Sequence, residues 1–337
     1  MQMIPDSIVT ITPDKITNLL KYHYVDITKK FYEMQSEFLI TRYRVHKSIE
    51  TSSIIICLAR SAHLEIIRQR ERNLNYDVSL KSFWKNINSI ILPSHKITSI
   101  VQTTGIPKET VRRKIKKLIN TEHVKNNKYR EYFWNLTSKR KENFINMVNN
   151  DIKALSKYLL GITNLLNLKL TQEIIEAELK SDFSFYFYHF YNCQLVWLKM
   201  WQKNLKDIDL IFIAIQALIP TLNYIDKNNI EKKLMLDDLH KVIGKVSPKI
   251  KSPNNTISAS SIAEVSGIPR ATCIRKLEKL VKLGLLVREV KSKRYYVNQF
   301  ANDRTKTILK KENVNNTVAI FSEYLALVVN ALVRYKK

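Results

Sequence analysis

The residues with the clearest chemistry are cations at helical spacing. In "KETVRRKIKKLIN", Lys108 to Asn120, the side chains of Lys108, Arg112, Arg113, Lys116 and Lys117 fall beside an apolar stripe of Val111, Ile115 and Leu118. In "RATCIRKLEKLVK", Arg270, Arg275 and Lys279 stand outside a stripe of Cys273, Leu277, Leu280 and Val281, and Lys276 counts with the cations. Thr110 and Thr272 add a hydroxyl near the start of each run. A short basic segment follows each: Lys125, Lys128 and Arg130 after the first, Lys291, Lys293 and Arg294 after the second. From Pro107 to Ile119 there are six basic residues and one acidic, and from Pro269 to Lys282 five basic and one acidic. Such faces neutralise phosphates, and arginine and threonine among them can read base edges.

The elements that must hold these cations are legible around them. "TISASSIAEVSGIPRATCIRKLEKLVKLGLLVREVKSKRYYVN" reads as helix, tight turn, helix and two short strands. Ser260 or Ser261 can cap the first helix, and Gly267 allows the positive φ that a sharp turn needs. Pro269 suits the first position of the second helix, and Gly284 suits its left-handed end. Cys273 is expected to be a small core residue against Ile262 and Ile268. The whole construction has an earlier echo. Gly105-Ile106-Pro107 matches Gly267-Ile268-Pro269, Thr110 matches Thr272, Arg113-Lys114 matches Arg275-Lys276, and Leu118 matches Leu280. Further on, "YFWN" matches "YYVN", and "LSKYLLGITNLL" resembles "FSEYLALVVNAL". The first copy differs in Glu122 and His123, where the second has Gly284 and Leu285, and in Glu109, where the second has Ala271.

At these residues the chain resembles the winged helix-turn-helix domains of bacterial regulators of the MarR and IclR types, over about forty residues per copy. The resemblance implies that the second helix of each motif enters the major groove of double-stranded DNA. It also implies that the hairpin wing touches backbone or minor groove.

The rest of the chain bounds this reading. Its 337 residues carry 56 Lys+Arg against 30 Asp+Glu, a formal net charge of +26, with 45% hydrophobic residues and five glycines. That predicts a folded, basic, mainly α protein with a polyanionic partner. An AT-biased genome would also raise the Lys, Asn and Ile content, so the placement of charge matters more than its sum. An internal duplication is expected, with an N-terminal segment at 1–29 and a first helical unit at 30–175 whose motif lies at about 80–136. A second unit would occupy 176–337, with its motif at about 232–299. Three scattered cysteines and the absence of a leader-like N-terminus predict a cytoplasmic protein without disulfides. Leu210–Ile219 and Val318–Val333 read as core helices rather than membrane spans. The aromatic run Phe183–Trp201 reads as packing, and the adjacent pair Asp237-Asp238 as a solvated helix face.

Neither a P-loop, nor a dinucleotide fingerprint, nor histidines at metal-ligand spacing can be drawn. No enzyme activity, cofactor or metal is therefore expected. The expected function is sequence-specific DNA binding in transcription regulation. Alternatives are a plasmid- or phage-type replication initiator with tandem winged helices, and a winged-helix scaffold for protein contacts. The chain would act either as a monomer with pseudo-two-fold heads or as a homodimer. An effector ligand is left open.

Overall fold

The structure, a computed structural model, describes residues 10–227, 256–297 and 311–335. Among these the chain is mainly α, with thirteen α-helices and two small antiparallel hairpins. It begins with α1 (Pro13–Tyr22), α2 (Tyr24–His46), α3 (Ile49–Arg72) and α4 (Leu80–Ser89). A first module follows, made of α5 (Ile97–Thr104), α6 (Lys108–Asn120), β1 (Val124–Asn126) and β2 (Tyr132–Trp134). Next come α7 (Lys141–Leu165), α8 (Gln172–Ser181), α9 (Phe183–Leu205) and α10 (Asp209–Lys227). A second module comprises α11 (Ala259–Ser266), α12 (Arg270–Lys282), β3 (Leu286–Arg288) and β4 (Tyr295–Val297), and α13 (Lys311–Tyr335) closes the described chain.

The lengths recur as well as the order. α1 and α2 have 10 and 23 residues, and so do α8 and α9. The helices of both modules have 8 and 13, and α7 and α13 have 25 each. The local causes recur too. Thr12 accepts from the Lys15 N–H at the start of α1, and Thr171 accepts from the Ile174 N–H at the start of α8. Each hydroxyl satisfies a donor that the first helical turn cannot. α2 and α9 both end on a lysine in the left-handed conformation, Lys47 (φ 56°) and Lys206 (φ 58°).

Two differences from the expected boundaries stand out. Residues 13–29, set apart as an N-terminal segment, form α1 and the start of α2, because Ile16, Leu20 and Ile27 supply a buried stripe. The division after residue 175 falls inside α8, where Ile175 and Leu179 are core residues of a continuous capped helix. The two halves also pack across each other rather than side by side. α3 lies on α9 and α10 lies on α2, while α1 packs on α13 and α8 on α7. One continuous apolar core results.

The aromatic run of α9 fills that core, as expected from its density. Phe183, Tyr186, Phe187, Phe190 and Trp197 are buried. Phe31 meets Trp197 at 6.3 Å and Phe38 meets Phe190 at 5.2 Å between ring centroids. Ser156 and Tyr158 of α7, and Ser322 and Tyr324 of α13, are buried at matching places in the two similar closing sequences. The stretch Glu312–Arg334 is long and apolar enough to cross a membrane by length and composition, and half of its apolar window is buried inside the protein. Cys57, Cys193 and Cys273 are free and buried apart from one another. Asp237, Asp238 and His240 lie outside the described residues.

Candidate nucleic-acid interface

Each module is built from the same local devices. α5 ends at Gly105 (φ 70°) and α11 at Gly267 (φ 74°), a conformation that an L side chain enters at a cost. The residue before each glycine ties the turn. Thr104 Oγ1 donates to the Ile100 carbonyl and accepts from the Ile106 N–H, and Ser266 Oγ does the same with Ile262 and Ile268. Pro107 and Pro269 are the N-cap residues of α6 and α12, one position ahead of the first-turn place expected, with extended ψ values of 141° and 135°. The cap of α11 is Ser258, whose hydroxyl accepts from the Ser261 N–H, rather than Ser260 or Ser261. Ser260 instead accepts from Arg270 Nε at 3.0 Å.

The second helices pack as their stripes dictate. Val111, Ile115 and Leu118 of α6 are buried under Ile106, and Cys273, Leu277 and Leu280 of α12 under Ile268. Burial pushes the Cys273 thiol up to about 11, in keeping with an inert core position. At the exit of α12, Gly284 has φ 76°, and at the exit of α6 Glu122 takes the same left-handed turn with φ 55°. The bonds correspond. The Glu122 N–H reaches Ile119 O and the His123 N–H reaches Leu118 O, as Gly284 reaches Val281 O and Leu285 reaches Leu280 O. The Glu122 carbonyl is also held by Asn135 Nδ2 (2.7 Å) and Arg140 Nη1 (2.9 Å). Those two donors maintain a backbone shape that the side chain disfavours.

A third strand position, absent from the sequence reading, completes each hairpin. His95 exchanges two backbone hydrogen bonds with Tyr132, and Ile257 does so with Tyr295. In the tip of the first hairpin, Asn127 Oδ1 accepts from the Tyr129 and Glu131 N–H groups, and Arg130 has φ 57°. The second tip turns at Lys293 (φ 54°), with Ser292 bonded to Glu289. Glu278 ties the second hairpin to α12 by accepting from Tyr295 Oη (2.7 Å) and Arg288 Nη1 (3.1 Å).

Most of the cations picked from the sequence face outward. Lys108, Arg112, Arg113, Lys116 and Lys117 on α6, with Lys125, Lys128 and Arg130 on the hairpin, are exposed. Arg112 also pairs with Glu109 at 2.6 Å. In the second module Arg270, Arg275, Lys279, Lys291 and Lys293 are exposed, and Thr110 and Thr272 are half-buried in their respective helices. Lys282, at the end of α12, is exposed and belongs with this group.

Two cations are placed differently. Lys276 is only 9% exposed and grips Asp207 (2.6 Å) and Asp209 (3.4 Å) at the start of α10. It lies three residues after Cys273, hence on the buried side of the helix, a position that helical spacing alone could have revealed. Its counterpart Lys114 is tied in the same way to Glu50 (3.0 Å) and Ser48 (2.8 Å) at the start of α3. Arg294 turns back to Thr256, donating to its hydroxyl and carbonyl at 2.7 Å each. Lys279 is exposed and also reaches Asp207 at 3.4 Å. The first module thus carries the denser outward charge, despite its looser motif.

Each module is docked on a helix of the other half of the chain. α5 rests on α9, where Lys199 Nζ donates to the Gln102 carbonyl at 2.6 Å. α11 rests on α2, where Arg44 Nη2 donates to the Val265 carbonyl at 2.7 Å. The same side chains pass over the turn glycines: a Cβ at Gly105 would lie 2.9 Å from Lys199 Cγ, and one at Gly267 would lie 3.6 Å from Arg44 Cγ. The chain matches no family model, no curated protein and no solved structure. Residues and geometry therefore carry the functional reading.

Proposed function

We propose that this chain binds double-stranded DNA in a sequence-specific manner, as transcription regulators do, through two winged helix-turn-helix heads. The heads are α5 to β2 and α11 to β4, and their recognition helices are α6 and α12. The observation that carries the reading is the division of charge on these helices. The inward lysines Lys114 and Lys276 are consumed by acidic partners in the scaffold, while Arg113 and Arg275, one position earlier, are exposed. A merely basic helix has no reason to sort its charges in this way twice. Outward cations on a helix next to a basic hairpin are what phosphate contact and groove reading require.

The chain is read as an internal duplication whose halves are related by a pseudo-two-fold axis. Equal lengths of α2 and α9 make Phe31 the counterpart of Phe190 and Phe38 the counterpart of Trp197. Exchanging the halves turns the Phe31–Trp197 contact into the Phe38–Phe190 contact. Each module is also tied to the other half by one such bond, from Lys199 and from Arg44, although the two side chains are not at equivalent positions.

Selection of bound duplexes from a random library, followed by a salt titration on the best sequence, tests the reading. A defined consensus and an affinity that falls steeply with salt are expected. Recovery of no consensus, or an affinity flat in salt, would overturn it.

A further inference from the structure

The outward faces of α6 and α12 differ most at one pair of positions. On α6, Glu109, Arg112, Arg113 and Lys116 are exposed at spacings of three or four, away from the buried Val111, Ile115 and Leu118. With Arg113 placed over Arg275, the same places on α12 hold Ala271, Ile274, Arg275 and Glu278. Ala271 is exposed and Ile274 half-buried. An ion pair one turn apart in the first module is therefore replaced by two apolar side chains in the second.

Each helix has one acidic residue, and the two are used differently. Glu278 is taken by the second hairpin, accepting from Tyr295 Oη and Arg288 Nη1. Glu109 accepts from Arg112 of its own helix at 2.6 Å, and its side chain remains 77% exposed. A pair so open to water adds little to stability. The dipole of α6 favours an acid in its first turn, yet α12 has Ala271 there and forms a helix of the same length, so the fold does not require one. On a surface that approaches phosphates, a carboxylate without a donor on the nucleic acid weakens binding.

The major groove supplies that donor. Cytosine presents its N4 amino group with no acceptor of its own beside it, whereas adenine N6 lies next to N7, and guanine presents O6 and N7, all of which repel a carboxylate. Arg112 spends Nη1 on Glu109 and keeps the rest of its fork for guanine O6 and N7. The side chains of Ala271 and Ile274 have no polar atom, and they match the one apolar group in the groove, the thymine C5 methyl.

We infer that these two positions make the heads read different bases at matching places in their half-sites. Glu109 accepts from a cytosine amino group and Arg112 donates to a guanine, while Ala271 and Ile274 cover thymine methyls. The inference rests on the proposed DNA reading and adds the base that each head selects.

Selection from a random duplex library tests it, with the native chain and two exchanged variants, Glu109→Ala/Arg112→Ile and Ala271→Glu/Ile274→Arg. The native chain is expected to select unequal half-sites, one with cytosine and guanine where the other has thymine. The first exchange should put thymine in place of cytosine and guanine in one half-site, the second should do the reverse in the other, and each should leave the remaining half-site as it was. On fixed duplexes each preference should shift by about tenfold. Replacing thymidine by deoxyuridine in the thymine-containing half-site removes only methyl groups, and should weaken the native chain by about fourfold per methyl. Equal half-sites in the native selection, exchanges that leave the selected bases unchanged, or deoxyuridine bound as tightly as thymidine would overturn the inference and leave the DNA reading standing. Recovery of no consensus by the native chain would overturn the DNA reading and the inference with it. If an exchanged chain does not fold, the deoxyuridine comparison on the native chain decides alone.

Discussion

At the scale of single residues, neighbours on one helix have opposite assignments, and this can be measured. Arg275 is exposed, whereas Lys276 is enclosed by Asp207 and Asp209. Arg275→Ala is expected to weaken binding to the selected duplex by about 1–3 kcal/mol and to relax its base preference, with thermal stability unchanged. Lys276→Ala leaves Asp209 without its lysine and Asp207 with only the longer contact to Lys279, and is expected to cost about 2 kcal/mol of stability. Chemical denaturation beside a binding isotherm separates the two effects. His63 gives a pH prediction. It is fully buried among Phe83, Phe183 and Tyr191, neither ring nitrogen has a partner, and burial lowers its pKa to about 3. The unfolded imidazole takes up its proton near pH 6.5 while the folded one resists until about 3, so stability falls as pH drops through that window. His63→Leu is expected to reduce this slope, His46 being pulled down to about 3 as well, and to gain roughly 2 kcal/mol over the native chain at pH 5. An unchanged pH slope in urea titrations would show that another group carries the acid sensitivity.

At the scale of elements, helix positions and module turns were readable, because stripes, caps and glycines act within four residues of one another. The partners of the helices were not. Arg42 of α2 forms a buried two-point pair with Asp151 of α7, at 2.7 and 2.6 Å, and its guanidinium lies 3.5 Å over the Phe38 ring. Burial pushes the Asp151 carboxyl up, against the pull of Arg42. Nothing in either helix sequence marks these two residues as mates. Asp151→Asn should cost about 3 kcal/mol by leaving a buried cation without its charge partner, and the double variant Arg42→Met/Asp151→Leu should recover most of the loss. Denaturant midpoints across that four-member cycle check the pair, and additive single losses would deny it. The exit of α6 teaches the same lesson. Glu122 looked like a lost glycine cap, yet it adopts the glycine conformation because Asn135 and Arg140, farther along the chain, hold its carbonyl.

At the scale of the whole molecule, the proposal becomes a statement about spacing. Each module is fastened to a helix of the other half, through Lys199 and Arg44, so two recognition helices in one chain would be held at a fixed separation. A monomer should then occupy a bipartite site with half-sites about 10 bp apart, the separation of successive major grooves. Glu109 against Ala271, and Lys116 against Glu278, should make the two half-sites unequal in sequence. The double variant Arg44→Met/Lys199→Met should keep both half-site preferences and tolerate wider spacer lengths. Spacer-varied duplexes with mass measured in solution test this, and a dimer with one module dispensable would contradict it. What the sequence determined by itself was short in range: a mainly helical chain, two glycine turns, the inner stripes of α6 and α12, their hairpins and most of the outward cations. Those features follow from spacings of three or four residues and from the φ that glycine alone enters easily. Only the tertiary structure decided that the halves interlock, that Lys276 meets Asp207 and Asp209, that Arg294 turns back to Thr256, that α1 belongs to the core, and that one corner opens into a cleft lined by histidines. Those outcomes depend on residues such as Lys276 and Asp207 meeting across long stretches of chain, and local periodicity carries no record of which helix faces will meet.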